Sequence, residues 1–297
     1  MSRLTVGIMS AALCGITFAV AAGSVTEIRP GTLATRTIEV TAGMLVTGSI
    51  VVAADGSVRS YSLDQVEKIP GVVVSLIGKS APAWRFQPTM LNGQPVATKA
   101  TMNLRIIAKE QKDGGYSFSI TGATFPQLTE SQAVNFAQQR QPVYPASAVR
   151  DHVSGTVYLR LRINQLGSVV GAFAEQVDLD INPNAVPAEF QLKKWRLTLT
   201  EAALAAAQTW KLGAIKPNED TEGDWYVVTP INFHLFESGN GRVDRYGKWD
   251  IYLPGPIQQS PWSDEGKAAP ANLDAIPAGS IALGSTGLHL TTPLGGS

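Results

Sequence analysis

The sequence predicts an α+β chain built as two tandem modules, each a small antiparallel sheet packed on one or two helices. Three observations carry this. Residues 101–106 and 157–163 alternate apolar and polar side chains with the period of a half-buried strand. Asp55-Gly56 and Gly167 sit between β-rich runs, where a hairpin turn needs a residue that tolerates positive φ. A tryptophan followed by a basic residue, Trp84-Arg85 and then Trp210-Lys211, closes a helical stretch in each half.

Taken in order, residues 23–47 read as an irregular segment with strand character near 37–40. The run from Gly48 to Leu63 is a hairpin around Asp55-Gly56. Pro70 to Ser80 suits a short helix, because Pro fits a first turn and Val73, Leu76 and Ile77 make one apolar face. Trp84 to Pro88 then leads through an Asn92-Gly93 turn to a strand. There Met102, Leu104 and Ile106 alternate with Thr101, Asn103 and Arg105. This first module spans 48–125, and 126–140 reads as a linker helix with a polar face.

The second module spans 141–236 and repeats that order. Val157, Leu159, Leu161 and Ile163 face a core while Tyr158, Arg160 and Arg162 face water; Gly167 turns the chain, and 169–177 returns. Asp178 to Leu197 reads as a loop insertion. Thr198-Leu199-Thr200-Glu201 matches a capping box, opening an Ala-rich helix with Leu199, Ala203, Ala206 and Trp210 on one face. Residues 226–236 form the closing strand, with Ile231, Phe233 and Leu235 on one side and Asn232 and His234 on the other. Residues 237–297 read as a Gly/Pro-rich extension, with a hairpin near 239–246 and a loosely held tail from 266.

The halves overlay with Gly56 on Gly167, Trp84-Arg85 on Trp210-Lys211, and Met102-Asn103-Leu104 on Ile231-Asn232-Phe233. Trp to Asn is 19 residues in one and 22 in the other. A repeated module is the reading that this recurrence supports.

The N-terminus carries one cation, Arg3, before an apolar run over 4–22 that ends in Ala19-Val20-Ala21. That is the layout of a cleaved signal peptide over 1–22, and the run is also just long enough for a retained inner-membrane anchor. Both readings put the rest of the chain in the periplasm. The lone Cys14 lies inside this segment behind Leu13, so the mature chain is expected to have no disulfide and no thiol nucleophile.

Lys+Arg and Asp+Glu both total 24, so no basic surface calls for a nucleic-acid partner. His152, His234 and His289 sit in unrelated settings, with no metal-ligand spacing, and there is no nucleophile elbow or phosphate-cradling glycine loop. The expectation is a non-enzyme without cofactor or metal. Gly155, Gly167, Trp84 and Trp210 have structural readings, as strand start, turn and two core plugs.

The least routine stretch is Gln141-Pro142-Val143-Tyr144-Pro145-Ala146-Ser147-Ala148, with Gly155 eleven residues after Tyr144 and Gly167 twelve further on. With Trp210-Lys211 it resembles the C-terminal domain of the TonB family along 141–236; the module at 48–125 is a degenerate version without the Tyr-Pro lead-in. The resemblance implies TonB-C-like modules that bind outer-membrane receptors or other envelope proteins by adding the partner's extended segment to a free strand edge. It implies energy transduction in transmembrane transport, or a soluble periplasmic adaptor or scaffold without energy coupling. The partner-binding residues it implies are Gln141, Pro142, Tyr144, Tyr226, Val228, Asn232 and His234. Strand edges also offer a route to a homodimer.

Overall fold

The structure, a computed structural model, describes residues 40–127, 136–213, 224–235, 244–262, 273–283 and 287–295. Strands β1 (Thr41–Val52) and β2 (Val58–Leu63) form the first hairpin, turning at Gly56 with φ +84°. Helix α1 (Gly71–Ser80) follows Pro70 and buries Val73 and Ile77, because a proline's fixed φ suits a helix start. The short β3 (Thr89–Leu91) and β4 (Gln94–Val96) flank Asn92-Gly93, both at positive φ as a tight hairpin turn requires. β5 (Thr98–Glu110) and β6 (Tyr116–Thr124) complete this half.

The second half runs β7 (Phe136–Gln138), α2 (Ala146–Arg150), β8 (Ser154–Ile163), β9 (Val169–Asp180), α3 (Glu189–Ala207), β10 (Lys211–Leu212) and β11 (Trp225–Phe233). β12 (Asp250–Leu253) and β13 (Ala282–Leu283) come from the extension. Among the described residues no helix is long and apolar enough to cross a membrane.

Mixed α+β architecture holds, but the two expected sheets are one. A nine-stranded antiparallel sheet runs β13-β11-β8-β9-β12-β1-β5-β6, with β2 also paired to β1. β12 makes the join. Tyr252 and Leu253 lie opposite Asp180 and Leu179 of β9, while Tyr252, Ile251 and Asp250 lie opposite Thr41, Ala42 and Gly43 of β1.

Two apolar cores lie on the sheet. One gathers Met44, Ile50, Met102, Leu104 and Ile106 with Ile77 of α1 and Trp84. The other gathers Leu159, Leu161, Ile163 and Val227 with Leu199 and Ala203 of α3 and Trp210. Each tryptophan is 1% exposed, a core plug as expected. Each indole N–H finds an acceptor, Leu294 O at 3.0 Å for Trp84 and Arg140 O at 2.8 Å for Trp210.

Five expectations are corrected. The irregular segment ends early, since 41–47 already belong to β1, where Met44 and Val46 are buried. The linker helix over 126–140 is not present at its described end, where Phe136–Gln138 is a strand paired with β10; residues 128–135 lie outside the described residues. The loop over 178–197 shrinks at both ends, because β9 reaches Asp180 and α3 starts at Glu189. Thr198 is therefore mid-helix, its hydroxyl donating back to Lys194 O at 3.0 Å instead of capping. The extension is not a loose tail: beyond β12 and β13, Gln87 N–H donates to His289 O and Thr291 N–H to Arg85 O. Part of the expected hairpin at 239–246 and all of 1–22 lie outside the described residues.

The hairpin glycines give a direct stability test. A Cβ at Gly167, at φ +76°, would sit 2.3 Å from Leu212 O, whereas one at Gly93, at φ +78°, meets nothing within 4 Å. Gly93→Ala should cost about 1–2 kcal/mol for the left-handed backbone alone. Gly167→Ala should cost roughly 1–3 kcal/mol more for the clash. Urea unfolding of the two variants checks the order.

Candidate functional site: the β11 edge and the polar layer behind it

The lead-in before β8 is extended, as Pro142 and Pro145 dictate, with Gln141 exposed and Pro142 half-buried. Tyr144 is not presented outward. Its hydroxyl donates to Val153 O, and its ring meets Phe233 edge-on with centroids 5.6 Å apart. It pins the lead-in to the start of β8. In the other half the extension supplies the same device: the Tyr246 hydroxyl accepts from Thr47 N–H at 3.2 Å and donates to Asp64 O at 2.9 Å.

β11 pairs with β8 along its full length, from Trp225 opposite Ile163 to Phe233 opposite Gly155. Its other edge carries the chain's own tail. Leu283 lies opposite Val227 and Ala282 opposite Val228; Gly279 N–H donates to Pro230 O at 3.2 Å and the Thr229 hydroxyl to Ser280 O at 2.9 Å. The edge expected to be open is thus partly taken. Val228, 1% exposed, and Tyr226, beside Trp262, both lie under the extension and not at a free surface. Asn232 is exposed and accepts from the Thr156 hydroxyl at 2.6 Å. His234 Nδ1 lies 3.1 Å from Asp180 Oδ2. Of the seven residues implied, Tyr144, Tyr226, Val228, Asn232 and His234 gather on or beside β11, while Gln141 and Pro142 stay on the outer lead-in.

Sequence reading missed a second feature, a polar layer on the sheet face away from α1 and α3. Asn103, Arg105, Tyr158, Arg160, Glu175 and Asp178 are buried there. Alternation had assigned Asn103, Arg105, Tyr158 and Arg160 to water. Residues 250–262 and 273–276 of the extension help to cover that face. Arg105 lies 4.8 Å from the Tyr252 ring centre, with its Nε 3.6 Å from Asp274 Oδ2. Arg160 and Glu175 form a buried ion pair. Gly255 N–H and the Gln176 amide both donate to Asp178 Oδ1, at 2.9 and 2.7 Å.

Burial dominates the ionisation of this layer. It pushes the Tyr252 phenol up to about 12 and the Tyr158 phenol well above its ordinary range, so both remain neutral. It also raises the Asp274 carboxyl against the pull of Arg105. The buried layer can hold the extension on the sheet. Among the described residues no group of three or more His, Cys, Asp or Glu side chains could hold a metal ion.

Compared with known proteins, the chain matches no family model, no curated protein and no solved structure.

Asp178 makes the layer testable by pH. Desolvation raises its carboxyl from 3.8 to about 6, outweighing the bonds from Gly255 and Gln176 that lower it. Because the folded value is the higher one, the folded state holds the extra proton between about pH 4 and 6, and stability falls as pH rises through that window. The loss is on the order of 3 kcal/mol. Asp178→Asn keeps an acceptor for Gly255 N–H without the charge. It should flatten that slope and raise neutral-pH stability by on the order of 1–3 kcal/mol. Urea midpoints from pH 4 to pH 7 measure both.

Proposed function

We propose that this chain is a non-enzymatic periplasmic protein of TonB-like type that grips outer-membrane receptors or other envelope proteins by strand addition at the outer edge of β11. The supporting observation is a contrast between the two halves. β6 covers the outer edge of β5 from Glu110 to Asn103, whereas among the described residues β13 pairs with the outer edge of β11 at Val227 and Val228, with one further main-chain bond from Gly279 to Pro230. A short occupant can give way to an incoming extended segment, and such an exchange at a strand edge is what β-augmentation requires.

The tandem-module reading draws support from recurring local geometry. A Cβ on Gly48 or Gly155 would lie 2.1 or 2.2 Å from the carbonyl of the neighbouring strand, at Ser62 and Asp178. A Cβ on Gly56 or Gly167 would likewise lie 2.1 or 2.3 Å from Phe86 O or Leu212 O. Superposing Gly48 on Gly155 brings Met102, opposite Gly48, onto Phe233, opposite Gly155. That register shifts the sequence overlay, which set Met102 on Ile231, by two residues and preserves the face. Tyr246 then takes the place of Tyr144, so the degenerate half recovers a lead-in tyrosine from the extension.

A second reading, an adaptor whose edge stays closed by its own tail, is favoured by β13 itself. Titrating the isotope-labelled chain with a synthetic peptide from the N-terminus of an outer-membrane receptor separates them. Strand addition predicts amide shifts concentrated in Trp225–Phe233; a permanently closed edge predicts none. Mass spectrometry of the mature protein addresses energy coupling. An intact Met1 means an anchored chain suited to transduction, and a start at Ala22 or Gly23 means a released adaptor.

A further inference from the structure

Resting on that strand-addition reading, we infer that residues 279–283 are an internal occupant of the β11 edge, and that the partner displacing them is an extended peptide with two large aliphatic side chains flanking a small one. The tail displays the recognition chemistry itself. Opposite residues of an antiparallel pair share a face, so Leu283 joins Val227 on the α3 side and Ala282 joins Val228 on the other. Ile281 and Leu283 pack against the larger core of this half. Ala282 packs into a separate small cluster of Tyr158, Val228, Leu273 and Ile276, all buried. Tyr158 and Val228 are 4% and 1% exposed, so a bulky residue in the Ala282 position has to displace packed side chains.

The described hold on the tail is short and uncharged: two registered pairs, the Gly279 bond to Pro230 and the Thr229 hydroxyl on Ser280 O. Pro230 has no N–H and so offers Gly279 only a carbonyl, which ends the ladder there. Separate contacts anchor the chain on both sides. Upstream, Leu273 and Ala275 are buried, and Ala275 O accepts from Thr124. Downstream, Leu288 N–H donates to Phe125 O and Leu294 O accepts from Trp84. Residues 279–283 can leave the edge while the flanking chain stays in place, and a tethered occupant of this kind lowers apparent affinity for an outside peptide by the fraction of time the edge is taken. Neither 279–283 nor 227–230 carries a charge, so recognition rests on backbone and shape.

The test uses the full chain and a synthetic peptide copying residues 277–287, followed by fluorescence anisotropy. Ala282→Pro breaks the tail's pairing and should tighten peptide binding by ~10-fold or more, by freeing the competent edge. Exchanging both Ile281 and Leu283 for Ser in the chain should act the same way, and it leaves the tail backbone intact should the proline variant fail to fold. In the peptide, the same two Ser exchanges, or Phe at the central Ala, should each weaken binding by ~10-fold or more, because they remove or overfill the packed positions. Affinity should not change from low to high salt. Equal peptide affinity for the parent chain and both variants overturns the occupant and leaves strand addition standing. No binding of this peptide or of receptor peptides by any of the three chains overturns both. A concentration-dependent dimer of the variants with exchanged tails overturns the peptide partner in favour of a second copy.

Discussion

Four residues, Asp250–Leu253, hold the molecule together by pairing on both flanks, with β9 on one side and β1 on the other. Everything distinctive about the fold follows from this join. For β12 to reach its place, the chain must leave β11, run back to the first half and contribute Tyr246 on the way. It then covers the polar face, adds β13 to β11, and ends against Trp84. The indole of Trp84 bonds a carbonyl 210 residues later, so the first core closes only after the C-terminal segment is in position. Such long-range closure is costly in loop entropy and favours slow, late consolidation of the first half.

The polar layer explains why the extension docks where it does. Burying Arg105, Arg160, Glu175 and Asp178 is unfavourable unless each finds partners. Arg160 pairs with Glu175 across β8 and β9; Arg105 and Asp178 are served by Asp274, Tyr252 and the Gly255 amide, all from the extension. An apolar strap could slide along an apolar face. A strap that must meet a guanidinium at one point and a carboxylate at another is fixed in register, the role best attested for buried polar groups. The β11 edge lacks this kind of lock. Its occupant is held by two registered positions, one further main-chain bond and apolar packing without a buried charge, which marks it as the part of the extension suited to leave.

Local signals were legible where a residue had one physical solution. Gly56 and Gly167 had to turn hairpins, Pro70 had to begin a helix, and Trp84 and Trp210 had to be buried. Alternation correctly placed Met102, Leu104, Val157 and Leu161 in cores. It failed for Asn103, Arg105, Tyr158 and Arg160, because period-2 patterning reports polarity and not solvent, and a second layer covered the polar face. The start of α3 was misplaced because Thr198 and Glu201 imitate a cap inside a continuous helix. The Gly and Pro content of the extension masked strands of four and two residues, whose pairing depends on distant partners and leaves almost no local signature. Of the candidate site, β11 and the residues around it were readable; which residues of the tail pair with its edge was not.

Native-state hydrogen exchange tests the central claim most directly, since it reads the opening free energy of each part of the extension separately. The account predicts that the Gly279 amide, bonded to Pro230, opens far more readily than those of Leu288 and Thr291, bonded to Phe125 and Arg85. Equal protection for all three would mean that the edge of β11 is sealed with the rest of the sheet, and would contradict a releasable occupant.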